Sequence, residues 1–566
     1  MIISFVNRNL PEDSFKVLTE FLSKRFAERK AELTIGNKGD IVLSLGIDDA
    51  MKADSYSIRE EGGITYVDAN NLCTVFAAVG RYVIRGTFDH KGGFKAPELP
   101  IVHVMNNSLR GMYFASHFHN FYHESKLEEV NDIIMDQALT GCNTLVLCFA
   151  LQHYTSTKTP EAQEFIARMK EMYKFAALCG IAPAIILFSN TSFKDGVKPE
   201  FAVQTELDDS GRYYRPLRAE FINEICPSNP EGFEEIKRQQ REFFEAFADT
   251  PIKYFVMFAY DEGGCLCEKC YPWTTNGFMK IADYCRELIE EYKYDAKIII
   301  SGWHFTIKLK DEWNIFFDEM KTGKYSWSPY LMTSFRDGRM PKVFVENKMP
   351  DGMALIDFPE ISMCNAKPWG GFGANPITMF LDNVYQNCGA YHDGGFPYSE
   401  GIYEDINKWV CLGFYTGHYK NSADAVRDYI RYNFGIEDTT DLLRAIQLME
   451  SSLPRGTEKL TDDGSYGATE GLEGIQETVY RFPIRWGTAI PEIYRIVTEY
   501  DKKIPEGLKN SWKWRIVYLR GIIDKELLDN GYVTKYSEVA QKAYHEMHEI
   551  SHTWNAKFCV HPPEGM

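Results

Sequence analysis

From residue 111 to residue 392 the chain repeats one pattern, a short apolar run followed by a long stretch whose apolar positions recur every three or four residues. A short run bounded by turn residues suits a strand buried on both faces, and the longer period suits a helix laid against it. Eight such runs occur, at 111–115, 144–149, 182–188, 254–260, 297–301, 330–334, 353–358 and 389–392. Helical spacing follows most of them, as at 127–140, 160–179, 232–248 and 278–292. Parallel strands require crossovers of this kind, and eight strand–helix repeats close into a (β/α)8 barrel. Before the barrel the pattern predicts strands at 2–6 and 40–45 and a helix over 13–28. Runs at 56–59 and 64–67 flank Glu60-Glu61-Gly62-Gly63, a hairpin signal, and a helix follows over 70–84. Pro97 and Pro100 mark a linker. After 422 only helical periodicity remains, at 423–434, 438–452, 490–500 and 539–551. The predicted class is therefore α/β: a TIM barrel over 105–421, a small N-terminal α/β domain over 1–104, and a helical C-terminal domain over 422–566.

Composition changes the picture mainly by exclusion. The 566 residues are 45% hydrophobic and 14% aromatic, ample for several packed cores. Sixty-two Lys and Arg against 80 Asp and Glu leave a net charge of −18, without a basic block, so nucleic acid and anionic membranes are poor partners. No apolar run reaches the ~18–20 residues that a membrane helix needs. The start Met1-Ile2-Ile3-Ser4-Phe5-Val6 lacks the basic, then apolar, form of a signal peptide. A cytoplasmic location is expected, or a periplasmic or secreted one if a signal has been removed. Assembly into a homo-oligomer is compatible with all of this. The 13 cysteines are odd in number, and Cys148, Cys179 and Cys411 lie inside apolar runs, as reduced core thiols do.

Barrel chemistry is carried by residues just past the strand ends. The fourth run ends abruptly in Asp261-Glu262-Gly263-Gly264, two adjacent carboxylates followed by glycines that let the chain turn. A charged Asp261 favours a retained proton on Glu262, which suits Glu262 to general acid catalysis. The alternative is that both acids cap the next helix. Opposing carboxylates are available at Glu360, Asp393, Glu400 and Glu404. Ser399 reads as a helix N-cap, with Glu404 and Asp405 in the first turn. Sugar rings need aromatic platforms beside polar forks, and strand-end positions offer Trp303, His304, Trp369 and Tyr398 together with His117, Asn120 and Asn190.

Cys265-Leu266-Cys267-Glu268-Lys269-Cys270 follows the acid pair, and three thiolates at this spacing can wrap one soft cation. Cys226 or Cys285 can complete a structural zinc site; a redox pair or three separate core thiols are the alternatives. No cofactor is expected for the chemistry itself, because the strand ends carry no histidine-rich cluster. In the C-terminal domain Trp486, Trp512, Trp514 and Tyr518 suit helix packing, and His545, His548 and His552 share one helix face.

These features resemble two glycosidase families. An α/β domain, a barrel and an Asp-Glu pair ending strand four are similar to the retaining hexosaminidases of glycoside hydrolase family 20, and Cys226-Pro227-Ser228-Asn229-Pro230 is similar to a Cys-Pro-x-Asn-Pro stretch of that family. Asp261-Glu262-Gly263 also resembles the Ser-Glu-Gly of the family 67 alpha-glucuronidases. Arg110 and His117-Phe118-His119-Asn120 resemble the Arg and the His-Trp-Asp-Asn stretch of the same family, which implies that Arg110 contacts substrate. The first resemblance, preferred here, implies substrate-assisted retention on a 2-acetamido sugar, with Asp261 orienting the amide and Glu262 as acid. The chain has Ala259-Tyr260 where that family has Gly-Gly. The second implies Glu262 as acid with a distant carboxylate activating water. Both imply a carbohydrate substrate. A barrel that binds carbohydrate without turnover is the reading from outside enzymology.

Overall fold

The computed structural model describes residues 1–117, 120–204, 223–259, 264–265, 267–302, 312–335, 342–362, 374–451, 487–530 and 537–552. The N-terminal unit is a sheet of β1 (Ile2–Asn7), β2 (Glu32–Ile35), β3 (Ile41–Ile47), β4 (Ser55–Glu61) and β5 (Ile64–Ala69) with helices α1 (Glu12–Ala27) and α2 (Leu72–Arg85). The β4–β5 hairpin turns on Gly62 and Gly63 at φ 59° and 79°. Two consecutive left-handed residues are what a tight hairpin needs and what side chains resist. A small ribbon, β6 (Thr87–Phe88) and β7 (Phe94–Lys95), comes next. Residues 97–100, expected to be a linker, carry neither strand nor helix, and the strand that the pattern missed follows them: β8 (Ile101–Val104) pairs antiparallel with β4 and gives the order β2-β1-β3-β5-β4-β8. Four residues at a sheet edge, with Val102 exposed, carry too little apolar contrast to be seen as a strand.

The barrel follows as β9 (Leu109–Phe114), β10 (Thr144–Leu147), β11 (Ala182–Phe188), β12 (Tyr254–Phe258), β13 (Lys297–Ser301), β14 (Tyr330–Thr333), β15 (Ala354–Asp357), β16 (Gly394–Gly395) and β17 (Tyr398–Ser399). All pairings are parallel, and β9 closes the ring against both β10 and β16. The first seven strands match the predicted runs to within a few residues. The eighth differs: 389–391 is a turn, and the strand is split into β16 and β17, which pair with β9 at one constant offset. Gly-Gly-Phe-Pro-Tyr-Ser reads as a loop by propensity. Packing overrides propensity here, because a Cβ on Gly395 would lie 2.1 Å from the Asp357 carbonyl oxygen and one on Gly394 1.7 Å from that of Leu109.

A short α3 (Phe121–Glu124) follows β9, and the crossovers carry α4 (Leu127–Thr140), α5 (Pro160–Leu178), α6 (Pro230–Ala246), α7 (Met279–Glu291), α8 (Glu312–Lys321), α9 (Lys342–Glu346), α10 (Thr378–Cys388) and α11 (Asp405–Thr416). The C-terminal layer is α12 (Ser422–Phe434), α13 (Thr440–Ser451), α14 (Ile490–Tyr500), α15 (Glu506–Lys509), α16 (Trp512–Asp529) and α17 (Glu538–Ser551). Trp514 is buried in α16 as expected, whereas Trp486 lies outside the described residues. His545 pairs with Glu549 at 3.3 Å, and His552, just past the end of α17, pairs with Glu129 of α4 at 3.1 Å. Among the described residues no helix is long and apolar enough to cross a membrane, and every cysteine is a free thiol.

Candidate active site

Register decides which side chains enter the barrel. Tyr113 on β9 meets Phe358 and Tyr398 at ring-centroid distances of 5.8 and 5.3 Å, and Phe258 meets Phe358 at 5.9 Å. Phe188 is in register with Phe258 and shares its inward phase. These five rings floor the C-terminal mouth, with the Tyr113 and Tyr398 hydroxyls the polar points among them. The sequence reading found only Tyr398. The signal for the others was available in the i, i+2 spacing at the strand ends.

Glu360 and Glu400 come two residues after Phe358 and Tyr398, and an isolated parallel bridge joins Glu360 to Tyr398. The Tyr398 hydroxyl donates to Glu400 Oε1 at 3.0 Å. Glu360 Oε1 accepts from the Ser362 N–H and hydroxyl, both at 2.8 Å. Asp261, Glu262, Trp303, His304 and Trp369 lie outside the described residues. The residues that bracket the acid pair are described. Ala259, just past β12, is fully buried, and a Cβ on Gly264 would lie 1.8 Å from the ring of Trp273, itself buried. In the ring of strands β12 is fourth and β16–β17 eighth, so they stand diametrically opposite. His117, buried in the loop after β9, faces His153 of the next loop at 6.5 Å between ring centroids.

Other expected site residues have different work. Arg110 has the outward phase of β9 and is fully buried. It donates to the carbonyls of Gly141 (3.0 Å) and Asn107 (2.6 Å) and pairs with Asp54 at 3.2 Å, which joins the barrel wall to the N-terminal unit. Asp393 precedes the eighth strand and so lies at the far end of the barrel, where it accepts the Ser108 N–H at 2.7 Å. Asn120 caps α3 by accepting the Tyr122 N–H at 3.1 Å. Asn190 donates to the Ile225 carbonyl at 3.2 Å and holds the third loop.

Ser399 is not the N-cap of α11; its hydroxyl donates to Glu404 Oε2 at 3.1 Å. Glu404 takes the N-cap position of α11 and Asp405 stands in its first turn as expected, and both are buried. Burial raises the Glu404 carboxyl above its ordinary range and lowers Lys408, whose ammonium is 3.9 Å away. Burial also opposes charge on Asp405, but Lys513 at 2.6 Å, with Lys408, outweighs it and holds Asp405 low. On the outward phase of β15, burial pushes Asp357 up to about 7.

The cysteine group has four members. The sulfurs of Cys226, Cys265, Cys267 and Cys270 all lie within 4.8 Å of one another. Cys226 Sγ is 3.8 Å from Cys267 Sγ and 3.7 Å from Cys270 Sγ. Cys285 is buried on α7, outside this group.

No protein-family model matches the sequence, and no curated protein is similar to it in sequence. Solved structures do share its shape. A family 115 4-O-methyl-alpha-glucuronidase with specificity for decorated arabinogalactans superposes with a TM-score of 0.61 at 11% identity, over 99% of this chain and 77% of that one. A family 138 enzyme targeting pectin rhamnogalacturonan II gives 0.57 at 11% identity, over 97% and 92%. A family 20 exo-beta-N-acetylglucosaminidase from Vibrio harveyi gives 0.50 at 11% identity, over 79% and 74%. The chain therefore has the fold of these glycoside hydrolases, an N-terminal α/β unit on a closed eight-stranded barrel, with the exact family unassigned.

Proposed function

We propose that this protein is a glycoside hydrolase that uses Glu262 as general acid and Glu400 as the opposing carboxylate. The observation that carries the reading is the position of Glu400. It follows the inward-facing Tyr398 at the end of strand eight, above an aromatic floor and across the ring from the strand that leads into Asp261-Glu262. An apolar sugar face stacks on the floor, Glu262 protonates the leaving oxygen, and Glu400 serves the anomeric carbon from the other side, as nucleophile or as base for water. Tyr398 is a positioning residue that orients the Glu400 carboxylate through its hydroxyl.

A second reading has its own support in the adjacency of Asp261 and Glu262 and in the shared fold of the family 20 enzyme. Here the 2-acetamido group of the substrate attacks, Asp261 orients it, and Glu400 binds hydroxyls. A panel of aryl glycosides tests both readings. Under the first, Glu400→Gln loses about 10³-fold or more in kcat. Under the second it loses far less, Asp261→Asn loses most, and a thiazoline mimic of the acetamido intermediate inhibits strongly. Retained sugar affinity without turnover of any member by the unaltered chain would leave a binding barrel.

A further inference from the structure

We propose that Cys226, Cys265, Cys267 and Cys270 bind one zinc ion in a closed tetrahedral site. The proposal stands independently of the glycosidase reading.

Three observations carry it. The first is geometry. A tetrahedron with zinc–sulfur bonds of ~2.3 Å has sulfur–sulfur edges of about 3.8 Å, and the Cys226 edges to Cys267 and Cys270 are 3.8 and 3.7 Å. A disulfide needs its sulfurs at about 2.0 Å and joins only two of the four.

The second is convergence. Cys265, Cys267 and Cys270 arrive on the loop after β12, whereas Cys226 comes from the connection between β11 and α6. It is held there by backbone bridges Thr191–Glu224 and Ala202–Ile225 and by the Asn190 bond to the Ile225 carbonyl. Independent stretches thus aim four sulfurs at one point, with Cys226, Cys265 and Cys270 buried.

The third is donor chemistry. Four thiolates suit a soft, thiophilic cation and are poor ligands for hard magnesium or calcium. Four protein ligands also leave no position for water, which makes the site structural rather than catalytic. Its consequence is mechanical. Cys265 lies three residues past Glu262, so a metal there staples the loop that carries the acid pair to the loop of strand three.

The test uses the full chain, purified under reductant without added metal, and elemental analysis by mass spectrometry. About one zinc per chain is expected. Cys226→Ser and Cys267→Ser should each lower retained zinc at least tenfold after dialysis against a mild chelator, and Cys285→Ser should leave it unchanged. If the serine variants fail to fold, cobalt(II) exchange into the unaltered chain decides. The intense visible bands of tetrahedral cobalt–thiolate support the site, and a spectrum of octahedral aqueous cobalt overturns it. The proposal also fails if the reduced chain holds no zinc after incubation with it, if iron occupies the site, or if peptide mapping of the native protein finds a disulfide among these four residues.

Discussion

Two residues of one strand can have unrelated tasks, and Tyr113 and Arg110 on β9 illustrate it: one floors the mouth, the other braces the N-terminal unit from outside the barrel. The polar, glycine-rich stretch past residue 392 was visible in the sequence, so Tyr398 and Glu400 were candidates although the strand that carries them was not seen; phase depends on pairing register, so the outward turn of Arg110 was hidden. At this scale, Glu262→Gln should lower kcat for poor leaving groups by about 10²–10⁴-fold and much less for activated aryl glycosides, which need no acid. Asp357 supplies a stability test. Burial holds its carboxyl at about 7 in the folded chain, above the ~3.9 of an unfolded aspartate. The folded state therefore binds the proton more tightly. The contribution of Asp357 is complete below about pH 4 and is lost as pH rises through about 7. Asp357→Asn cannot ionise, so its stability relative to the unaltered chain should rise by roughly 2–4 kcal/mol between pH 4 and pH 8, read from urea midpoints.

Elements impose their own demands on composition. Gly394 and Gly395 make an eighth strand from a sequence that reads as loop, because neighbouring backbone leaves no room for Cβ atoms. Gly264 does the equivalent for the loop after β12, packed on a Trp273 ring that also lies against Gly277. That ring is itself buried, so Gly264→Ala must displace the loop or repack the core around Trp273. A destabilisation of about 1–3 kcal/mol is expected, with activity lost beyond what thermal unfolding at the assay temperature explains. Intact folding by circular dichroism with full activity would contradict this account.

Across the whole molecule the three units are joined by ion pairs that are wholly or partly buried. Lys513 of α16 bonds Asp405 of α11 at 2.6 Å and Asp136 of α4 at 3.1 Å, while Arg85 of α2 pairs with Asp428 of α12 at 3.1 Å. Removing Lys513 takes the bonded cation from buried Asp405 and leaves Asp136 to Arg25 alone, at 2.9 Å, and Lys513→Met should cost about 3–5 kcal/mol. Because these ties bind the C-terminal helices to barrel and N-terminal unit alike, calorimetry should show one shifted transition rather than two. Separate melting of the C-terminal helices would contradict that coupling. The 18-residue α16 was legible only through Trp512, Trp514 and Tyr518 as helix-packing positions, and its span was not, because it is buried on most of its circumference, which erases the amphipathic period.

Alternation of apolar runs and helical spacing, read along the chain, was enough to determine a closed parallel barrel between an α/β unit and a helical layer. That pattern is local, and burial on two faces writes it directly into residue order. The Asp261-Glu262 pair, the rim glutamates and three of the four cysteines were legible as candidates, since each follows an apolar run of the repeat. Tertiary structure alone decided the rest: that Cys226 rather than Cys285 completes the sulfur cluster, that Arg110 faces away from the mouth, that Asp393 lies at the barrel's other end, and that a glycine–proline stretch closes the ring. Each depends on which distant backbone lies alongside, and no window of sequence contains that neighbour.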